Sequence, residues 1–444
     1  MTHRYTLGGF NIVIDCNSGS IHACDELTSE LIALREVNDA ERALVLASER
    51  FPDISNTELR EIITEIDELA ANGQLFAPPS DFEPKRSGES QIVKALCLNI
   101  SHACNLRCSY CFASKATNDN ALMSFGVGKA ALDFLVANSG SRRNLEVDFF
   151  GGEPLLNWDV VKQLVAYARS IELAAKKNFR FTLTTNGVLL DEDVENFANR
   201  EFTNVVLSLD GRRETHDRFR KTVSGESSYD TVVPKFRQFV KNRVGGYYIR
   251  GTYTRENLDF LSDILKMREL GFEHLSIEPV VCSDDEPYAL RESDLPVIFE
   301  QYEKLAEEMT KREFTFYHYN LDLENGPCLH KRVAGCGSGS EYLAVTPDGT
   351  LYPCHQFVGD PKFAMGDVFT GVTKPEIRAG FANRSILTMP ECKTCWARLW
   401  CAGGCAANSY HATGNIDGTY KLGCELFKKR LECAIFLKFA VNGE

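Results

Sequence analysis

The sequence lacks any apolar run long enough to span a membrane, and it has no segment with the features of a secretory signal. We therefore expect no membrane partner. Basic residues are also in deficit: the formal net charge of the 444 residues is −13, which disfavours nucleic acid as a partner. Sixteen cysteines in a long chain of this kind predict metal ligation in a reducing cytoplasm rather than disulfide bonds.

Lysine is absent from residues 1–76, which hold five arginines and fourteen acidic residues. Strand patterns at 5–14 and 19–24 flank a turn at Asn17-Ser18-Gly19, and helical patterns follow to about residue 72. This order predicts a winged-helix domain over 1–80, ended by a proline-rich linker at 77–88. Its acidity argues against DNA, whereas a hairpin edge can accept a peptide as an added strand. A purely stabilising role is the alternative.

Three cysteines, Cys104, Cys108 and Cys111, directly follow the apolar run at 95–100, and no fourth Cys or His lies at usable spacing nearby. A structural zinc site needs four ligands. Three thiolates can instead hold three irons of a cubic four-iron cluster and leave the fourth iron open to a small molecule. The pattern therefore predicts redox chemistry rather than a structural metal.

From about residue 91 to 315, short apolar strands alternate with longer helical patterns. Six such units predict a parallel, curved sheet with helices outside, an α/β partial (β/α)6 barrel with the cysteines at its C-terminal mouth. Strands are predicted at 92–100, 145–150, 180–185, 204–209, 247–254 and 274–279, and helices near 125–138, 158–175, 190–199, 229–242, 258–270 and 293–312.

Polar, glycine-containing groups follow several of these strands, at 151–154, 184–187 and 208–211. Each group alone is typical of a turn. Because the ends of parallel strands share one rim, together they predict a ligand cradle beside the three cysteines.

These motifs resemble the radical S-adenosylmethionine (radical SAM) superfamily: Cys-x3-Cys-x2-Cys with Tyr110, then Gly-Gly-Glu-Pro and Ser-Leu-Asp-Gly. The resemblance implies that S-adenosylmethionine chelates the open iron and is cleaved to a 5′-deoxyadenosyl radical. It assigns Gly151, Gly152 and Glu153 to the amino group of S-adenosylmethionine, Tyr110 to the adenine, and Ser208 and Arg220 to the carboxylate and ribose. Asp210, Asn186 and Arg250 complete the predicted cofactor contacts.

The C-terminal third, 316–444, is similar to the SPASM extension of these enzymes, which carries two further four-iron clusters. The resemblance implies three four-iron clusters in all and gives one auxiliary cluster Cys328, Cys336, Cys354 and Cys405, and the other Cys392, Cys395, Cys401 and Cys424. A pair of structural zinc sites is the alternative. If Cys328 does not ligate, an iron is left open for a substrate thiolate. The remaining cysteines are predicted to be ordinary hydrophobic residues: Cys16, Cys24, Cys97, Cys282 and Cys433.

The acidic N-terminal domain resembles the leader-peptide recognition element of peptide-modifying enzymes, and the whole chain looks most like the maturases of SCIFF peptides. The resemblance implies a cysteine-rich precursor peptide with a leader, an electron donor such as flavodoxin or ferredoxin, and a thioether between a cysteine sulfur and an acceptor carbon, in that family Cα of Thr. No catalytic side chain is assigned. His355 stands where sulfatase-maturing relatives carry Asp, which argues against that activity. The alternatives are Cβ thioethers, carbon–carbon links, epimerisation, or a non-enzymatic iron–sulfur carrier.

Overall fold

The computed structural model describes residues 1–79, 92–113, 119–321 and 333–442. The linker predicted at 77–88 lies mostly outside these ranges, as does Cys328. Among the helices of the described ranges, none has both the length and the apolar character needed to cross a bilayer.

The N-terminal module, residues 1–79, is a three-stranded antiparallel sheet packed on three helices. The predicted strand at 5–14 is wrong: Gly8 and Gly9, at φ +55° and +86°, split it into a hairpin. Gly8 is also required by packing, because a Cβ there would lie 2.3 Å from the ring of Phe436. The strands are β1 (Thr2–Leu7), β2 (Phe10–Asp15) and β3 (Ile21–Cys24), and the helices α1 (Glu26–Val37), α2 (Ala40–Arg50) and α3 (Asn56–Ala71).

The helices of the module begin where the sequence provides caps. Ser55, for example, accepts a hydrogen bond from Glu58 N at 3.2 Å. Leu59 and Ile66 of α3 are buried, so the apolar face of this helix packs in the core of the module, mainly against α1 and α2. In the sheet order β1-β2-β3, β3 lies at one edge.

The prediction of a parallel α/β barrel is confirmed. Six parallel strands lie side by side in chain order, and the strands are almost wholly buried on both faces near β4. They are β4 (Ala95–Ser101), β5 (Asn144–Gly151), β6 (Asn178–Thr185), β7 (Phe202–Ser208), β8 (Gly246–Tyr253) and β9 (His274–Pro279).

The barrel helices connect these strands and bury apolar stripes against them. One of them was not predicted: the short helix α7, which follows β7. The helices are α4 (Phe125–Ala137), α5 (Trp158–Ala175), α6 (Glu192–Glu201), α7 (Arg213–Phe219), α8 (Tyr229–Asn242), α9 (Phe260–Glu269) and α10 (Leu295–Lys311).

The C-terminal third extends the barrel sheet. Strand β10 (Thr315–Phe316) pairs with β9, while β11 (Tyr342–Val345) runs parallel to β4 and carries β12 (Leu351–Tyr352) beyond it. Cys354, which comes two residues after β12, is therefore placed at the edge next to β4. The remaining elements are β13 (Gly366–Asp367), β14 (Gly371–Val372), α11 (Pro375–Asn383), α12 (Pro390–Lys393), α13 (Arg398–Cys401), α14 (Ala406–Thr413) and α15 (Lys421–Asn442).

Candidate active site

The cluster loop, Cys104–Cys111, follows β4 at the C-terminal rim of the barrel. The residues that lead into the loop bind the end of β5: Gly152 N donates to Ser101 O at 2.6 Å, and Glu153 N donates to Ala103 O at 2.9 Å. A Cβ on Gly152 would lie 2.3 Å from Ala103 O. Glycine is therefore required for this close approach of two backbones.

The other side of the cluster loop pairs with the chain after α7. Arg107 N donates to Lys221 O at 2.8 Å, and Ser109 N donates to Phe219 O at 3.1 Å. These two bonds flank Cys108. The loop is thus held between two segments of the rim by main-chain hydrogen bonds.

The three thiols of the cluster loop are partly buried. Burial raises the pKa of Cys104 to about 11 and that of Cys108 to about 12. A thiol is a metal ligand only as the thiolate, so a bound metal would have to supply the charge that ionises these groups.

Asn186, after β6, lies against the cluster loop. Its Nδ2 donates to Asn105 Oδ1 at 2.8 Å and lies 3.6 Å from Cys104 Sγ. The Nδ2 of Asn105 is buried and has no hydrogen-bond partner among the described residues. An unused donor beside three sulfurs fits a bound iron–sulfur cluster with its small-molecule ligand.

Three predicted cofactor contacts, Tyr110, Asp210 and Arg220, bind one another. Tyr110 OH donates to Asp210 Oδ2 at 2.6 Å, and Arg220 Nε lies 3.0 Å from the same oxygen. Asp210 is fully buried. Although burial opposes the charge of Arg220, Asp210 holds the pKa of that guanidinium well above its usual range. This network ties the cluster loop to the end of β7.

Glu153 is fully buried and joins the ends of β5 and β6. Its carboxylate accepts hydrogen bonds from Thr185 Oγ1 at 2.7 Å, Asn186 N at 2.8 Å and Leu155 N at 3.0 Å. Burial nevertheless dominates and raises the pKa of Glu153 to about 7.

Ser208 and Arg250 are neighbours in register on β7 and β8. Arg250 is half exposed, and its Nε lies 3.9 Å from Glu278 Oε1. Glu278 was not predicted as a site residue. It lies at the C-terminal end of β9, just as the predicted polar groups lie at the ends of other strands. His318 Nε2 lies 3.1 Å from Glu278 Oε2, and Arg430 of α15 lies 3.1 Å from His318 Nδ1.

His355 packs on the inner side of the rim. Its ring centroid lies 5.0 Å from that of Phe150 and 5.6 Å from that of Phe112, and its Nδ1 lies 3.3 Å from Tyr342 OH. Burial first, and then Arg250, lower the pKa of His355 to about 4, so its ring is neutral near pH 7.

The C-terminal cysteines fall into two groups. The first set is Cys336, Cys354 and Cys405; burial raises the pKa of Cys354 to about 12, and the neighbouring Cys405 and Cys336 thiols act in the same direction. The fourth predicted member, Cys328, lies outside the described residues. No three described His, Cys, Asp or Glu side chains converge on a point where a single metal ion would sit.

The second set lines a cavity of about 770 Å³, within the usual range for cofactor sites. Burial raises the pKa of Cys401 to about 11 and that of Cys424 to about 12, and the neighbouring thiols of the set act in the same direction. The members are Cys392, Cys395, Cys401 and Cys424.

An adjoining cleft of about 410 Å³, which shares Asn408 and Tyr420 with that cavity, lies between the cluster loop and the C-terminal third. Tyr110 and Phe112 line one side, and Gln356 and Asn408 line the other. Gln356 Nε2 is 3.9 Å from Cys405 Sγ, so one lining residue of the cleft contacts the first set. Cys282, predicted to be an ordinary buried cysteine, lines this cleft and is half-buried. Of the other four, Cys16, Cys97 and Cys433 are buried and Cys24 is half-buried.

Comparison with known proteins agrees with this geometry. Residues 98–267 match the family model described as the radical SAM superfamily, and 336–396 match an iron–sulfur cluster-binding domain named SPASM. An Fe-coproporphyrin III synthase of Methanosarcina barkeri is 38% identical over 358 residues, which cover 72% of this chain and 84% of that protein. The chain belongs to the radical SAM superfamily.

Other members of the superfamily are similar over more of the chain. A cysteine-type anaerobic sulfatase-maturating enzyme of Clostridium novyi is 25% identical, with 77% of this chain and 95% of that protein covered. The radical SAM cyclopropyl synthase TigE of Paramaledivibacter caminithermalis is 21% identical, with 91% and 88% covered.

Two solved structures share the fold. The chain anSMEcpe with bound AdoMet and Kp18Cys peptide has a TM-score of 0.63 and 21% identity, with 79% of this chain and 99% of that one covered. SuiB of Streptococcus suis bound to precursor peptide SuiA has a TM-score of 0.55 and 16% identity, with 94% and 97% covered. This chain is therefore a radical SAM enzyme with a SPASM region, and its cofactors are S-adenosylmethionine and four-iron clusters.

Proposed function

We propose that this enzyme matures a ribosomally made, cysteine-rich peptide by forming thioether crosslinks within it. The observation that carries this proposal is the cleft between the cluster loop and the first cysteine set. A peptide segment in this cleft would have one residue beside the radical chemistry and another beside a site that can bind a thiolate. Cysteine suits the second position because its sulfur is both a metal ligand and a nucleophile.

The residues proposed to hold the radical cluster are Cys104, Cys108 and Cys111, since they give three thiols and leave one iron for S-adenosylmethionine. The bound cofactors supply one-electron chemistry that removes a hydrogen atom from the substrate. Around them, the main-chain hydrogen bonds of the cluster loop fix the sulfurs, and Glu153 fixes the rim. The half-exposed Arg250 offers a permanent positive charge to a carboxylate at the rim.

The auxiliary centres are assigned in the same way. The first set with Cys328, and the second set of four cysteines, are proposed to hold one four-iron cluster each, for a total of three. An electron donor such as flavodoxin or ferredoxin would reduce them. Cys354 is buried and Cys424 is half-buried, which fits ligation, because such thiols stay protonated and unreactive until a metal ionises them.

Peptide recognition is proposed to occur at strand β3. This strand lies at the edge of the module sheet, where an extended peptide can add as a further strand. Two structural neighbours have peptides bound: anSMEcpe with the Kp18Cys peptide and SuiB with precursor peptide SuiA. The proposed substrate is a precursor of the SCIFF type, with a leader that binds the module and a core that enters the cleft.

The test is the product. Each thioether should remove two hydrogen atoms from the peptide and protect one cysteine from alkylation, because the sulfur no longer ionises. Deuterium at Cα of the acceptor residue, proposed to be Thr, should appear in 5′-deoxyadenosine. Transfer from Cβ would favour a Cβ thioether, and loss of two hydrogens with every cysteine still alkylatable would indicate a carbon–carbon link. An unchanged peptide mass would leave epimerisation as the remaining alternative.

Sulfatase maturation is a second candidate, because sulfatase-maturating enzymes are among the relatives. Against it, His355 stands where that activity is expected to use Asp. Modification of a sulfatase peptide in place of a cysteine-rich precursor would support this candidate.

A further inference from the structure

The ligand segment, Cys395–Cys401, carries three side chains that contact the N-terminal module. Trp396 stacks on His3, with ring centroids 3.7 Å apart and planes at 5°. Arg398 Nη2 donates to Asn17 Oδ1 at 2.6 Å. Trp400 also lies near the module, since its ring would be 3.9 Å from a Cβ added to Gly19. Alternate residues of the ligand segment therefore lie beside residues about 380 positions earlier in the chain.

Strand β1 is fixed to the helix that carries the fourth cysteine of this set. His3 Nε2 lies 2.9 Å from Glu432 Oε1, and Tyr5 OH donates to the Glu432 carbonyl at 2.9 Å. Lys429 Nζ lies 2.7 Å from the other carboxylate oxygen. Although burial opposes the charge, His3 and Lys429 keep the pKa of Glu432 below its usual value. The module is thus attached to both parts of the chain that supply the second set.

The module also forms part of the wall of the cavity that the second set lines. Met1, Thr2 and His3 line this space together with the four thiols. The ligand segment has little regular structure of its own, since its one helix, α13, contains four residues. Helices this short do not hold their shape without outside contacts.

We propose that the N-terminal module closes the second auxiliary iron–sulfur site. Through His3 and Asn17 it holds the ligand segment in place and covers the cavity against solvent and oxygen. This role rests on the proposed function in one respect: that the second set holds a cluster. The module would then serve the enzyme even where no peptide is bound, in addition to its proposed recognition role.

The experiment uses the full-length enzyme reconstituted with iron and sulfide under anaerobic conditions. The test variant is His3→Ala with Asn17→Ala, which removes two module contacts and leaves every cysteine intact. His22→Ala is the matched control, because His22 belongs to the same module but bonds to Gln74 O rather than to the ligand segment. A variant with Cys392, Cys395, Cys401 and Cys424 changed to Ala identifies the signal of the second set.

The readouts are bound iron, the electron paramagnetic resonance spectrum of the reduced enzyme, and the rate at which each cluster signal is lost in air. In the test variant we expect the second-set signal to be lost roughly tenfold faster, the factor that corresponds to about 1.4 kcal/mol of lost contacts. The other cluster signals and the control should keep wild-type rates. His3→Phe in place of His3→Ala should restore part of the difference, because a ring still stacks on Trp396.

Second-set decay at the wild-type rate would overturn the proposal. Equal acceleration for all clusters would also overturn it, since that result indicates general unfolding. Failure of the cluster assignment itself gives a different result, because the four-cysteine variant would then bind as much iron as the wild type.

Discussion

The cluster loop and the ligand segment hold cysteines in two different ways. The cluster loop is fixed by main-chain hydrogen bonds from neighbouring parts of the same barrel, such as Arg107 N to Lys221 O. The ligand segment is fixed by side chains that meet the far N-terminal module, such as Trp396 on His3. The first arrangement depends on glycine and backbone geometry, and the second depends on docking of a separate part of the chain. Substitutions should therefore affect the two regions independently.

The largest expected effect comes from changing Cys104, Cys108 and Cys111 together to Ala. Because these are the proposed ligands of the cluster that binds S-adenosylmethionine, 5′-deoxyadenosine formation should be abolished, as measured by chromatography. The ligand segment does not depend on the cluster loop, so the iron bound by the C-terminal cysteines should remain. Continued 5′-deoxyadenosine formation in this variant would rule out the assignment.

Removal of residues 1–80 should weaken binding of the precursor peptide strongly, because edge strand β3 is lost. Calorimetry with the intact precursor measures this effect. Cleavage of S-adenosylmethionine without peptide should continue, since the hydrogen bonds described for the cluster loop come from the barrel. Unchanged peptide affinity would exclude the module as the recognition element.

Gly152→Ala should disturb the cluster loop and leave the ligand segment intact. The added Cβ would meet Ala103 O at 2.3 Å, so the loop must move, at a cost of about 1–3 kcal/mol. Gly126→Ala is the control, because its Cβ would meet nothing closer than 3.7 Å and Ala favours the helix. Iron content and thermal unfolding should separate the two variants; equal behaviour would show that the close approach is unimportant.

The sequence predicts the elements of the barrel much better than those of the N-terminal module and the C-terminal third. Strand β9 and helices α5 and α8 have the predicted bounds, because periodicity and local turn residues determine them. The hairpin at Gly8-Gly9 was missed because the apolar pattern continues through it. Strands β11 and β12 are too short to give a periodic signal.

For the candidate site, motifs placed the cluster loop beside Gly152 and Asn186, because strand ends of a parallel sheet meet at one rim. They did not reveal that Tyr110, Asp210 and Arg220 bind one another. Nor could they reveal the stack of Trp396 on His3, since nothing local marks a contact formed only when two distant parts of the chain dock.

The smallest expected effect is a change in pH dependence from Glu153→Gln, again confined to the rim. Burial raises the pKa of Glu153 to about 7, above its value of about 4.5 in the unfolded chain. Between these two values the folded state binds the proton more tightly, so this group makes the fold less stable as pH rises through that range. A shift of this size corresponds to at most about 3 kcal/mol.

Glutamine stays neutral and removes this dependence, although it forfeits the hydrogen bond from Asn186 N or Thr185 Oγ1. The melting temperature of the wild type should therefore fall more between pH 5 and pH 8 than that of the variant. Parallel pH profiles would show that the Glu153 carboxyl ionises normally in the folded enzyme, and hence that its three hydrogen bonds outweigh its burial.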